Sequence, residues 1–190
     1  MSNVGLYLGT FNPIHNGHVT LVEYFSKIPE LDEVLVVLSP QSPFKKENKL
    51  INDIDRLKMA ETVFKKLKNV KVSDIEFKMS KPNFTIDTLK EFKKRHKYDN
   101  LILLIGEDNL IGFKKWKDYK KIIEIAEVYV YPRETKQRIP DEFLTNLNIN
   151  LVDAPKIKIS SSHIRELIKQ KKSIDKLVPR EVIKFFELNK

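Results

Sequence analysis

The sequence predicts an α/β fold: a doubly wound, mostly parallel sheet with helices on both faces, followed by a short helical segment over about residues 159–190. Three observations carry this expectation. Short apolar runs rich in β-branched residues recur along the chain and stop at Gly, Ser-Pro or Tyr-Pro, as buried strands do. Between them lie stretches whose apolar residues return at helical spacing. A chain of 190 residues with 41% hydrophobic content can also bury the core that such a sheet requires.

Residues 4–8 form the first apolar run, ended by Gly9, and residues 19–27 follow as a helix with Val19, Val22 and Phe25 on one face and Leu21 flanking it. Glu33–Leu38 is the second strand, closed by Ser39 and Pro40. A helix over 54–67 places Leu57, Ala60, Val63, Phe64 and Leu67 on one face, with Asp53 as its expected N-cap. The alternation goes on with a strand at 70–75, a helix at Thr85–Arg95, and a strand at 101–105 ended by Gly106. A helix at Tyr119–Ile125 and a strand at 128–131 follow. After a polar stretch over 132–148 come a strand at 149–152 and two helices at 160–170 and 179–188, with Pro179 suited to a first helical turn. Strand and helix in turn imply right-handed crossovers in a Rossmann-like sheet. With no internal repeat, low-complexity tract or linker, residues 1–190 read as a single domain.

Composition narrows the chemistry. Without cysteine the chain forms neither disulfides nor thiolate metal sites, which fits a reducing compartment. No apolar run approaches the roughly 18 to 20 residues of a membrane span, and no basic-then-apolar leader opens the sequence, so the expectation is a cytoplasmic protein with no membrane partner. The formal charge is +9, yet only Arg56, Arg95, Arg133, Arg138, Arg165 and Arg180 among 35 basic residues are arginine. The lysines are scattered, often beside acidic residues. Such scatter reads as a solvated surface with a general attraction for phosphorylated small molecules, and not as a specific nucleic-acid surface.

In a sheet of this kind ligands bind beyond the carboxyl ends of the strands. The segment after the first strand, Gly9-Thr10-Phe11-Asn12-Pro13-Ile14-His15-Asn16-Gly17-His18, holds two of the five glycines and two of the four histidines. Glycine permits close backbone approach, and exposed N–H groups at a helix start favour an anion. His15 and His18, three apart, can face one point and donate hydrogen bonds to phosphate oxygens. The plainer alternative is a punctuated turn with one histidine capping a helix. A zinc site lacks a His-Glu-x-x-His helix or other ligands, and neither the Gly-x-Gly-x-x-Gly fingerprint nor the P-loop pattern is present. Near the C-terminus, Ile159-Ser160-Ser161-Ser162-His163-Ile164-Arg165 puts hydroxyls and free N–H groups at a helix start, with an arginine fork one turn in. That is a second anion site, or else an ordinary N-cap with a surface arginine.

The first loop resembles the Gly-Thr/Ser-Phe-Asp-Pro-x-His-x-Gly-His signature of the HxGH nucleotidyltransferase superfamily, with Asn12 in place of the usual aspartate. Residues 159–165 resemble its second signature, Ile-Ser-Ser-Thr/Ser-x-Ile/Val-Arg. Two middle segments, Pro82-Asn83-Phe84-Thr85-Ile86-Asp87-Thr88-Leu89 and Ile105-Gly106-Glu107-Asp108-Asn109-Leu110, resemble those of bacterial nicotinate-nucleotide adenylyltransferases, and Trp116 follows at the family's spacing. The likeness spans nearly the whole chain.

What this resemblance implies is transfer of the adenylyl group of ATP to nicotinate mononucleotide, giving nicotinate adenine dinucleotide and pyrophosphate. His15, His18 and Arg165 would be catalytic. ATP would lie along Gly9, Thr10, Phe11, His15 and His18, with Gly106 and Asp108 at the adenosine and Ser161, Ser162 and Arg165 on the β- and γ-phosphates. Mg²⁺ would arrive with ATP, with no metal site of the protein's own. Thr85 and Trp116 would meet the pyridine carboxylate and ring, although a helix cap and a core tryptophan are their plainer readings. Lys45 and Arg133 would bind the acceptor, with Phe44 where the family carries histidine. The alternatives are a related adenylyl- or cytidylyltransferase with another phosphorylated acceptor, and a nucleotide-binding module without turnover. Oligomeric state has no signature in the sequence.

Overall fold

A computed structural model of the chain describes residues 1–40, 51–95 and 99–188. Its sheet has six strands: β1 (Asn3–Gly9), β2 (Glu33–Leu38), β3 (Val70–Ser73), β4 (Asn100–Gly106), β5 (Glu127–Tyr131) and β6 (Ile149–Leu151). They lie in the order β3-β2-β1-β4-β5-β6, and every pairing is parallel. The order reverses between β1 and β4, so the crevice at their carboxyl ends is the topological switch point.

The helices among the described residues are α1 (Asn16–Phe25), α2 (Asp53–Phe64), α3 (Thr85–Arg95), α4 (Glu107–Ile111), α5 (Tyr119–Ile125), α6 (Asp141–Leu144), α7 (Ser161–Lys169) and α8 (Arg180–Leu188). Two apolar clusters make the core, one on each face of the sheet. Leu21, Phe25, Met59, Phe64, Ile164 and Val182 pack with Val34, Val36, Ile102 and Leu104. On the other face Ile86, Leu89, Phe92, Phe113 and Ile122 pack with Leu6, Leu35, Leu103 and Ile105. In the central strands successive residues therefore go to opposite, buried faces, which is why β2 and β4 read as unbroken apolar runs. The C-terminal helices α7 and α8 complete the face that α1 and α2 begin.

Several expectations are corrected in detail. The N-cap of α2 is Asn52, whose side chain accepts the N–H of Asp55 at 2.9 Å, and Asp53 instead pairs with Arg56 at 2.6 Å. The first helix begins three residues before the apolar pattern, because Gly17 and His18 form its first turn. β3 ends at Ser73 and is followed by a 3₁₀ turn at Ile75–Lys78. Both α4 and α6 escape the sequence reading. Each buries one apolar residue, Leu110 and Phe143, which is too few for a periodic signal. No helix of the described residues is long and apolar enough to cross a membrane.

Candidate active site

The first signature folds into a strand-to-helix corner built from reciprocal histidine contacts. His15 is the N-cap of α1, in extended backbone, and its Nδ1 accepts the N–H of His18 at 3.3 Å. The His15 N–H in turn donates to Nδ1 of His18 at 3.2 Å. The arrangement is a capping box in which two imidazoles do the work of serine and glutamate. Their rings stack with centroids 3.5 Å apart and planes 16° from parallel. Because each Nδ1 is an acceptor, the neutral rings carry their proton on Nε2, so the backbone fixes both histidines as Nε2–H donors.

The electrostatics agree with neutral rings. Burial, followed by the positive charge of Arg133, pushes His15 down from 6.5 to about 4. Burial also holds His18 well below the ordinary histidine range, helped by His15 and Arg133. Around the pair, Phe11 presents its ring edge to His18 at 4.9 Å from a left-handed backbone with φ of 46°. A buried bulky residue in that region stores strain, which the surrounding packing must hold. Tyr7 stands against Phe11, His18 and Tyr131 from beneath. Gly17 is required by close approach: a Cβ there would stand 2.2 Å from Ile157, in the segment leading to α7.

The second signature closes on the first through two long-range contacts. Ser161 Oγ donates to the carbonyl of Pro13 at 2.9 Å, and Arg165 Nη1 donates to the carbonyl of Asn12 at 2.9 Å. Arg165 Nη2 also donates to Ser162 Oγ at 3.0 Å. Ser160 caps α7 by accepting from His163 N–H, so Ser161 and Ser162 lie in the first turn, where backbone N–H groups have no helical acceptor. Helix starts, arginine and imidazoles thus surround one corner at the end of β1, a setting suited to a polyphosphate.

At the end of β4, Gly106 caps α4 and leaves room for its neighbours, since a Cβ would fall 2.4 Å from Asp108 and 2.7 Å from Arg133. Arg133 Nε lies 3.8 Å from Asp108, the Arg133 backbone N–H donates to Glu107 Oε2 at 3.0 Å, and Nη1 donates to the carbonyl of Ile157 at 3.2 Å. Arg133 therefore stands between Asp108, the histidine pair and the second-signature segment. The Glu107 clamp on Arg133 has no sequence signal, because neither residue is regular in spacing relative to the other.

The segments that carry Thr85 and Trp116 are bridged by a residue that sequence reasoning missed. The first carbonyl of α3 to accept is that of Phe84, so Thr85 lies in the first turn and is not the cap. Trp116 is partly buried, tilted against Phe113 at 5.1 Å. Lys117, next to Trp116, binds Asp87 at 3.0 Å and sits 4.6 Å over the ring of Phe84. One exposed lysine ties the two segments. Gly9 ends β1, its carbonyl accepting from Ser39 N–H at 2.8 Å, and Thr10 follows it. Lys45 lies outside the described residues. Among the described residues no group of three or more His, Cys, Asp or Glu side chains is placed to hold a metal ion.

Comparison with known proteins gives the same picture. The cytidylyltransferase-like family model matches residues 6–167. A probable nicotinate-nucleotide adenylyltransferase of Flavobacterium psychrophilum is 39% identical over 184 residues, covering 97% of this chain and 95% of that protein. One of Christiangramia forsetii is 40% identical over 184 residues with the same coverage. In structure, the Plasmodium falciparum nicotinic acid mononucleotide adenylyltransferase complexed with NaAD superposes with a TM-score of 0.82 at 20% identity, covering 100% of this chain and 97% of that one. That likeness establishes the fold. With two signatures joined at one corner and relatives this similar along their whole length, the chain belongs to the cytidylyltransferase-like family and, within it, to the nicotinate-nucleotide adenylyltransferases.

Proposed function

We infer that the protein transfers the adenylyl group of ATP to the 5′-phosphate of nicotinate mononucleotide. A phosphate oxygen of the acceptor attacks the α-phosphorus, the bond from that phosphorus to the bridging oxygen breaks, and pyrophosphate leaves with the electron pair. The nucleophile is already an anion near neutral pH, so no base is needed and catalysis rests on alignment and charge stabilisation. The observation that carries this reading is the histidine pair, whose reciprocal caps fix two Nε2–H donors at the corner where the signatures meet.

Neutral donors placed in advance stabilise charge growing on the phosphates without reorganising. His15 and His18 serve the α-phosphate region. Arg165 keeps N–H groups to spare beyond its bonds to Asn12 and Ser162, and with the first turn of α7 it holds the β- and γ-phosphates. The loop from Gly9 to Phe11 and the Gly106 corner border the nucleotide, with Asp108 accepting from ribose hydroxyls. Mg²⁺ bound with ATP would screen the charge of the triphosphate. Thr85 and adjoining backbone N–H groups favour a carboxylate over a neutral amide, and Trp116 offers a flat face to the pyridine ring. Arg133 adds positive charge where both nucleotides meet.

The test is pyrophosphate release from ATP and Mg²⁺ by the purified protein with nicotinate mononucleotide, nicotinamide mononucleotide or phosphopantetheine as acceptor. The expected result is release with nicotinate mononucleotide well above the others. Release with another acceptor alone overturns the roles of Thr85 and Trp116, and no release with any leaves a nucleotide-binding module without turnover.

A further inference from the structure

Of the arginine, lysine, aspartate and glutamate side chains described, only Arg56 and Glu76 are buried, and both close on Ser39. Ser39 follows β2. Its N–H donates to the carbonyl of Gly9 at 2.8 Å, its carbonyl accepts from Arg56 Nη1 at 3.0 Å, and its hydroxyl stands near the Glu76 carboxyl, opposing the upward push that burial gives that group. Arg56 Nη1 also donates to the carbonyl of Thr10 in the first signature, while Nη2 binds Asp53 at 2.6 Å. On the far side, Glu76 Oε1 accepts from the hydroxyl of Thr88 at 2.7 Å, and its carbonyl accepts from Asn83 Nδ2 at 2.7 Å. The guanidinium lies 5.9 Å over the ring of Phe77. Arg56 thus joins Thr10 to Ser39, and Glu76, beside the Ser39 side chain, is bonded to Thr88, one turn beyond Thr85.

Two charged groups held this deep are costly to desolvate, and a packed apolar pair would serve stability as well. What an apolar pair cannot do is fix a direction: the Arg56 guanidinium binds two carbonyls through Nη1 and a carboxylate through Nη2, and the Glu76 carboxylate accepts from the Thr88 hydroxyl. The residues at the two ends belong to different segments of the site, the loop of the histidine pair and the start of α3. We propose that Arg56 and Glu76 are positioning residues that hold these segments at a set separation, so that the acceptor phosphate meets the α-phosphorus in line. The assignment rests on the adenylyl-transfer reading above.

The experiment compares wild type with Arg56→Lys, Thr88→Val and Thr88→Ser in steady-state pyrophosphate release, together with equilibrium binding of ATP alone and thermal melting. Arg56→Lys keeps the charge and loses the fork. It is expected to lower kcat about ten- to hundredfold, from the scale of a small misplacement of reacting groups, while the Kd for ATP stays within about threefold. Thr88→Val keeps shape and loses the hydroxyl, with kcat/KM for nicotinate mononucleotide down about tenfold and ATP binding unchanged. Thr88→Ser, which restores the hydroxyl, is expected to recover most of that loss. Folded Arg56→Lys protein with wild-type kcat, or Thr88→Val and Thr88→Ser proteins with equal kinetics, overturns the proposal. Should Arg56→Lys not fold, the Thr88 pair decides alone. A wild-type protein that releases no pyrophosphate with this acceptor refutes the adenylyl-transfer reading instead, a result distinct from active wild type with unaffected variants.

Discussion

The corner that carries the histidine pair and the side that carries Thr85 and Trp116 are held by different kinds of bond. At the histidine corner, side chains bind backbone atoms: from a distant part of the chain Ser161 to Pro13 and Arg165 to Asn12, and locally each histidine to the N–H of the other. Backbone partners cannot rotate away. The other side packs Ile86, Leu89, Phe113 and Trp116 into one apolar cluster and is bridged at its surface by Lys117, an exposed side chain that reaches Asp87 and the ring of Phe84. Exposed ion pairs contribute little and fade with salt. On the reading proposed above, rate would depend on the histidine corner, and the surface bridge at Lys117 would tune acceptor affinity.

Removing a donor from the rigid corner is the strongest way to test that contrast. His18→Ala is expected to lower turnover by at least about 10²-fold, the scale of a lost transition-state donor. Its stability cost is expected to be that of one helix cap, about 0.5–2 kcal/mol. Pyrophosphate release and thermal melting check both, and near-normal turnover sinks the proposed role. Next in size is Arg165→Lys, which keeps a charge but cannot span the Asn12 carbonyl, Ser162 and a phosphate together. Loss of a charged hydrogen bond of about 1.5–3 kcal/mol translates into a KM for ATP raised roughly tenfold or more. An unchanged KM argues that Arg165 only braces the loop.

A third expectation concerns pH. His15 in the folded state ionises near 4 against 6.5 in the unfolded chain, and His18 is shifted the same way. Both states are neutral above about 6.5, so the histidines then favour neither. As pH falls from 6.5 toward 4 the unfolded chain takes up protons that the folded one refuses, and stability declines by up to roughly 1.4 kcal/mol per pH unit for each imidazole. Urea unfolding at pH near 7 and near 5.5 measures this. His15→Asn, which keeps a capping acceptor without titrating, is expected to flatten the decline. An equal slope in wild type and variant places the buried charge cost elsewhere.

The smallest effect belongs to the surface bridge at Lys117. Lys117→Ala removes an exposed ion pair worth about 0.2–1 kcal/mol, so the KM for nicotinate mononucleotide is expected to rise about two- to fivefold with ATP binding unchanged. High salt should shrink the difference between wild type and variant. A large loss of kcat in Lys117→Ala erases the distinction between the two sides.

Much of this was legible in the residues. The central strands β1, β2 and β4 were marked by apolar runs, because a sheet covered on both faces leaves no polar alternation there, whereas the edge strand β3 alternates Val70 and Val72 with Lys71 and Ser73. The histidine pair and the Ser-rich segment were visible because chemistry at a helix start needs particular residue types in consecutive positions. The short helices α4 and α6 were hidden, since one buried residue each, Leu110 and Phe143, has no period. Asn52 took the cap expected of Asp53 because Asp53 is drawn to the buried guanidinium of Arg56, a partner that helix propensity alone does not weigh.

By itself, then, the sequence determined the strands, the main helices and the two signature segments, all of which depend on neighbours within a few residues. Tertiary structure alone decided which atoms of those segments meet. Ser161 reaches Pro13 across 148 positions, Arg165 reaches Asn12 across 153, and Arg56 joins Thr10 to Ser39. Such pairings follow from the parallel crossovers that bring all strand ends to one edge, and no local pattern encodes them. The neutral state of the histidines has the same origin, because burial and the charge of Arg133 arise only when the sheet closes.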